Sequence, residues 1–179
     1  MHAQREQSVE LFKAWYERDM PRLFNYISYR LRDEALVEDL VAAICERAVK
    51  NLDRYDPHKG GMDAWMFGIA RHELMRYLRD TRRKPMEVSL DNLPDLAAAG
   101  ADVEETAEHA HLVRLAMRML GKLDSRDQEL IALRYGAGLS SDEIGRLLNL
   151  TPGNVRVRLH RTLEQLQQHV AALEGGIDG

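Results

Sequence analysis

The chain has almost no thiol chemistry to offer: one cysteine, Cys45, in 179 residues. An internal disulfide is therefore excluded, and the surrounding LVAAICERAV places that thiol on the buried face of a helix rather than at a redox centre. No apolar run approaches the roughly 20 residues needed to cross a bilayer. The N-terminal stretch MHAQREQSVELFKAWYERD is charged throughout and lacks the apolar core of a secretory signal, so a cytoplasmic chain without membrane contact is expected. Period-two alternation is missing too, which argues against a sheet. Glycine-rich phosphate loops, a G-x-S-x-G elbow and paired strand-end carboxylates are absent, so no enzyme and no cofactor are expected. The one histidine pair at close spacing, His109 and His111, has no neighbouring cysteine and no regular ligand spacing, so no metal site is expected.

One segment lacks charge of one sign. Residues 85–113, PMEVSLDNLPDLAAAGADVEETAEHAHLV, hold seven carboxylates and no Lys or Arg, whereas residues 1–84 carry 16 cations against 14 anions and residues 114–179 carry nine against eight. The net charge of -4 thus hides two mildly basic segments around an acidic one. With two prolines and a glycine, the acidic stretch reads as a linker between two small domains, 1–84 and 114–179. It serves either as a solvated spacer or, through Asp91, Asp95, Asp102, Glu104 and Glu105, as an electrostatic element.

What remains is helical periodicity, and the expected class is all-α. The first segment predicts helices near Val9–Arg18, Pro21–Leu31, Asp33–Asn51 and Met62–Arg79, the third with Leu36, Leu40, Ile44 and Ala48 in one apolar stripe. In the last segment, Ser140 or Ser141 caps a short helix in which Glu143 suits the first turn. Asn149, tolerant of a left-handed backbone, ends that helix, and Thr151 and Pro152 start the next. On this second helix Val155, Leu159, Leu163, Leu166 and Val170 share a face that packs on Ile144, Leu147 and Leu148. At 100° per residue, Asn154, Val157, Arg158 and Arg161 point the other way, with Arg156 and His160 at the margin. A basic outward face on the second helix of a helix-turn-helix suits the major groove; the alternative is a solvated face on an ordinary hairpin.

The helix MDAWMFGIARHELMRYLRDTRRK interleaves Trp65, Phe67 and Tyr77 with Arg71, Arg76, Arg79, Arg82, Arg83 and Lys84. Rings stack on bases and cations track phosphates, a combination suited to single strands. Trp65 and Ile69, one turn apart, also suit a core, so Arg71, His72 and Arg76 rank above Trp65 as DNA contacts.

LDSRDQELIALRYGAGLSSDEIGRLLNLTPGNVRVRLHRTLEQL resembles region 4 of the sigma-70 family, which binds the minus-thirty-five promoter element, and DLVAAICERAVKNLDRYDPHKGGMDAWMFGIARHELMRYLRDTRRK resembles region 2 of its ECF (extracytoplasmic function) group. The helix-turn-helix alone is also similar to LuxR-type regulators, but no receiver or ligand domain accompanies it here. The resemblance implies two helical domains and a factor that binds core RNA polymerase through its beta and beta-prime subunits. Such a factor recognises promoter DNA, melts the minus-ten element and is commonly held by an anti-sigma factor. It implies minus-thirty-five contacts from Asn154, Arg156, Val157, Arg158, His160 and Arg161, and minus-ten contacts from Arg71, His72 and Arg76. The loop DPHKGGMDA is similar to the one that pockets a flipped base, which adds Lys59, Met62 and Asp63. Ala42 and Ala43 stand where a polar pair is usual, so polymerase contact either rests on Asp39, Leu40, Glu46, Arg47 and Lys50 or is weaker. His72 replaces a common asparagine and Val157 a common serine. In such proteins the acidic linker passes through a positively charged channel of the polymerase. The alternative is a sigma mimic that titrates an anti-sigma factor without binding DNA. The two alanines favour it mildly, and the arginines of the recognition helix oppose it.

Overall fold

The computed structural model of the chain describes residues 2–82, 115 and 117–174. The acidic linker, with Asp91, Asp95, Asp102, Glu104, Glu105, His109 and His111, lies outside these residues, as do Arg79's neighbours Arg83 and Lys84 and the side chains of Arg82 and Val170. Among the described residues every regular element is helical.

The first helix, α1, runs unbroken over His2–Ser28, where the sequence predicts two helices separated near Pro21. Pro21 lacks the N–H that would bond one turn back. It sits on the exposed side, while Phe12, Trp15, Leu23, Tyr26 and Ile27 hold both halves of the helix in one core. Helix α2, Glu34–Lys50, starts at Asp33, whose carboxylate accepts from the Leu36 amide at 3.2 Å. Val37, Leu40, Val41, Ile44 and Ala48 are buried. A 3₁₀ turn, Leu52–Arg54, leads to α3, Met62–Arg82. Phe67 of α3 is the centre of this half: Trp15 and Tyr26 meet it edge-on at 6.2 and 5.9 Å between centroids, and the Arg22 guanidinium lies 5.4 Å over its face. Cys45 is half-buried against the Met20 sulfur at 3.8 Å, and burial pushes its thiol up, away from the reactive thiolate.

In the C-terminal half, Asp124 caps α4, Ser125–Ile131, by accepting from the amides of Arg126 and Asp127. The helix widens into a π turn over Ala132–Gly136 and is followed by α5, Ser141–Leu148, and α6, Pro152–Glu174. The π turn packs directly on α1. A Cβ on Gly136 would lie 2.9 Å from the Tyr26 Cα, so only glycine lets the two backbones approach this closely. Four arginines of the N-terminal half donate across the same boundary: Arg22 to the Ala137 carbonyl at 2.8 Å, Arg30 to Ser125, Arg32 to the Met117 carbonyl at 2.6 Å, and Arg71 to Glu129 at 2.6 Å. All the donors come from one half and all the acceptors from the other, so the boundary is held by polar as well as apolar contact.

Candidate nucleic-acid interface

The helix-turn-helix is built from local rules. The Ser140 hydroxyl accepts from the Glu143 amide at 3.3 Å, and the Glu143 carboxylate accepts from the Ser140 amide at 2.7 Å and the hydroxyl at 2.6 Å. The hydroxyl bond holds the Glu143 carboxyl below the usual carboxylate range, against the opposing effect of burial. Asn149 ends α5 with φ of 56°, and the Leu150 amide returns to the Gly145 carbonyl at 2.8 Å. Gly145 is required by this tight return, since a Cβ there would meet the Leu150 carbonyl oxygen at 2.6 Å. Thr151 then accepts from the Asn154 amide at 3.2 Å, and Pro152 opens α6. Val155 and Leu159 are buried, with Leu163 and Leu166 partly so, and they pack beside buried Ile144.

Opposite that buried side, Asn154, Arg156, Val157, His160 and Arg161 are exposed. Val157, 53% exposed, is the apolar centre of a polar strip. His160 stands 3.4 Å from Glu164, one turn on, while Arg156 and Arg161 have no partner among the described residues. Arg158 departs from the outward position expected of it from the sequence. Its Nε donates to Asp127 at 2.6 Å and its terminal nitrogen lies 3.7 Å from Asp124, so it ties α6 to the capped start of α4. The reason is rotational: Arg158 lies about 100° from Val157, at the edge of the exposed strip, within reach of the α4 carboxylates. The strip that faces solvent is thus Asn154, Arg156, Val157, His160 and Arg161.

In the N-terminal half the expected minus-ten residues separate into three environments. Lys59, with its side chain 85% exposed, stands 3.8 Å from Asp56 in the loop before α3. Met62, the first buried position of α3, is largely in the core at 8% exposure and reaches the outside only where it lines a cleft. Asp63 accepts from the Trp15 indole at 2.6 Å and from Arg22 at 3.0 Å. Trp65 is partly buried against Tyr55, 5.4 Å between centroids, which favours the core role. Lys59 of the loop and Met62 and Asp63 at the start of α3 line one wall of this cleft, of about 470 Å³, and Leu139, Glu143 and Arg146 of the other half line the opposite wall. Further along α3, Arg71 is held by Glu129 at 2.6 Å. His72 and Arg76 both meet Glu73, at 3.3 and 2.6 Å.

Of the expected polymerase residues, Asp39, Glu46, Arg47 and Lys50 are exposed on α2, beside exposed Ala42 and Ala43. Glu46 and Lys50 pair with each other one turn apart, and Lys50 holds the Glu46 carboxyl below its usual range. Arg47 reaches Glu73 at 2.6 Å. Leu40 is a core residue at 9% exposure, since it falls on the Val37–Val41–Ile44 stripe, and the exposed large apolar residue on this helix is Val49 at 52%.

Sequence reasoning passed over Glu73, Asp127 and Glu129, the acids that hold the cations it singled out. The signal was phase: Glu73 falls in register with buried Met66 and Ala70, and Glu129 adjoins buried Leu130 and Ile131. A charged residue at a buried helical position must find partners, and the nearby arginines are those partners.

Comparison with known proteins matches residues 15–84 to Sigma-70 region 2 and residues 114–166 to Sigma-70 region 4. The chain is 32% identical to the ECF RNA polymerase sigma factor ShbA of Streptomyces griseus over 133 residues, covering 73% of this chain and 70% of that one. It is 28% identical to the RNA polymerase sigma factor CarQ of Myxococcus xanthus over 170 residues, covering 95% of each. Among solved structures, the fold is similar to the sigma factor RpoE of Bartonella quintana, crystallised with the anti-sigma factor NepR, with a TM-score of 0.70 at 22% identity over 89% of this chain and 96% of that one. It is also similar to CnrH, solved in complex with the cytosolic domain of CnrY, with a TM-score of 0.67 at 24% identity over 95% and 98% of the two chains.

Proposed function

The chain belongs to the ECF group of sigma-70 RNA polymerase sigma factors, and from that premise we propose how its residues divide the work of promoter-specific transcription initiation. One observation carries the assignment: the exposed strip Asn154, Arg156, Val157, His160 and Arg161 stands on the second helix of a fully capped helix-turn-helix. That strip enters the major groove at the minus-thirty-five element. Arg156 and Arg161, free of internal partners among the described residues, supply the charge-assisted contacts to guanine edges or phosphates. Arg158 acts one step back, by fixing the recognition helix on α4 through Asp127.

Residues 1–84 form the unit that binds core polymerase and opens the minus-ten element, residues 114–179 form the unit that reads the minus-thirty-five element, and residues 85–113 tether them. Asp39, Glu46, Arg47 and Lys50 on the exposed side of α2 face the polymerase, with Ala42, Ala43 and Val49 as the apolar ground between them. Lys59, His72 and Arg76 face the minus-ten strand, joined by Asp63 and Arg71 once these exchange their present partners for DNA. The protein acts in the cytoplasm, catalyses no reaction of its own and is controlled by an anti-sigma factor, as the complexes solved for similar folds suggest. Among its described residues no helix is long and apolar enough to cross a membrane.

The test is run-off transcription with purified core polymerase and a library randomised over both promoter elements. Discrete transcripts sharing two sequence elements are expected. Absence of any transcript, with core binding intact, would point instead to a mimic that only titrates an anti-sigma factor.

A further inference from the structure

Cations assigned to two different partners converge on one buried carboxylate. Glu73 of α3 is 2% exposed; its Oε1 forms an ion pair with Arg47 of α2 at 2.6 Å and its Oε2 with Arg76 at 2.6 Å, with His72 Nδ1 3.3 Å from Oε1. Arg47–Glu73 is the only ion pair between α2 and α3 among the described residues, whereas the neighbouring Glu46–Lys50 pair stays within α2. The side chains of Arg47 and Arg76 remain 45% and 53% exposed. A guanidinium carries five N–H donors, so each can hold Glu73 with one edge and leave the other to an outside acceptor.

We propose that Glu73 is a positioning residue that couples the polymerase-contacting helix to the promoter-contacting helix through its shared hold on Arg47 and Arg76. The inference rests on the division of surfaces given above, with Arg47 toward polymerase and Arg76 toward minus-ten DNA. A carboxylate this buried must stay compensated. With Arg47 in place, Glu73 is satisfied from α2, and the outer edge of Arg76 is presented to a phosphate in a fixed position. With Arg47 gone, Glu73 draws on Arg76 and His72 alone, and a phosphate must compete for Arg76 against a buried charge. Arg47 therefore governs DNA engagement although it lies on the polymerase-facing helix.

Simple electrostatics predicts the opposite sign for one variant. Glu73→Gln removes a negative charge beside the DNA path, which by charge alone strengthens phosphate attraction. Under the positioning account it releases Arg76 and His72 from their fixed places and weakens binding.

The experiment measures the affinity of holoenzyme, at saturating core polymerase, for a pre-melted fork promoter taken from the library selection. It compares the parent with Arg47→Ala, Arg76→Ala and the double variant, and repeats the set in the Glu73→Gln background. Arg47→Ala is expected to weaken fork binding about three- to tenfold in the parent, to add little once Arg76 is alanine, and to add little in the Glu73→Gln background. Equal effects of Arg47→Ala with and without Arg76 would overturn the proposal, as would tighter fork binding by Glu73→Gln with the Arg47 effect unchanged. Both arginines are about half exposed, so their cycle decides the matter even if Glu73→Gln fails to fold. A parent holoenzyme that does not bind the fork removes the underlying functional reading and this inference with it. A parent that binds, with additive arginine effects, removes this inference alone.

Discussion

Arg158→Ala and Arg161→Ala, three residues apart on the recognition helix, are expected to fail in different ways. Arg158 donates to Asp127 at 2.6 Å, with side-chain exposures of 35% and 14%, and lies 3.7 Å from Asp124. Exposed pairs contribute about 0.2 to 1 kcal/mol, and breaking a fully buried pair costs about 3 to 5. A pair of intermediate exposure, discounted for screening on the arginine side, places the cost of Arg158→Ala at about 1 to 2 kcal/mol. For a domain of this size that corresponds to a melting temperature lower by about 3 to 6 °C. Arg161 is exposed and without a partner among the described residues, so its removal should move stability by no more than about 0.5 kcal/mol. Its loss falls on DNA: about 1 to 3 kcal/mol at one base position if it reads a guanine, or a salt slope shallower by about 0.9 if it holds a phosphate. Thermal unfolding paired with fluorescence anisotropy on a minus-thirty-five duplex at several salt concentrations separates the two variants. The reasoning is refuted if Arg158→Ala melts with the parent and loses DNA affinity as Arg161→Ala does.

Three further outcomes follow from named contacts. Asn149→Gly should be neutral within a few tenths of a kcal/mol, while Asn149→Ala should cost about 1 to 2 kcal/mol for a side chain forced to φ of 56°, read by chemical denaturation. Gly136→Ala should separate the two halves, because its Cβ would stand 2.9 Å from a backbone atom that cannot yield; small-angle scattering should report a larger radius of gyration, and an unchanged radius would contradict the packing. The Glu143 carboxyl is held below its usual range by Ser140, so its stabilisation of α5 is fully present above the ordinary glutamate value of about 4.3 and is lost as pH falls through the lower folded value. Acid titration of amide signals in α5 should show that loss, and Glu143→Gln should remove it.

The turn of the helix-turn-helix was legible because its determinants are local: Ser140 with Glu143, Asn149 in the left-handed region, Thr151 with Pro152. Each acts within three residues of its partner, and propensity decides such contacts. The class was legible for the same reason. The course of α1 was not, since Pro21 signals a break that tertiary packing on Trp15, Leu23 and Tyr26 overrides. Arg158 was misread because its partner Asp127 lies 31 residues away. Leu40 and Met62 were read as contacts from motif position, yet both fall in the buried phase of their helices. The acids that hold Arg47, Arg71, His72, Arg76 and Arg158 become visible only when helices are placed side by side, because a sequence shows cations and anions without saying which are already spent on each other.

The central claim is that two faces of one chain meet two promoter elements in the same complex. Site-specific photo-crosslinking from position 72 and from position 157, in holoenzyme bound to a selected promoter, tests it directly. The account predicts that a probe replacing His72 crosslinks to the minus-ten strand and a probe replacing Val157 to the minus-thirty-five duplex, both within one DNA footprint. Crosslinks from position 157 that map to polymerase subunits while DNA is bound, or from position 72 to no nucleic acid, would contradict it.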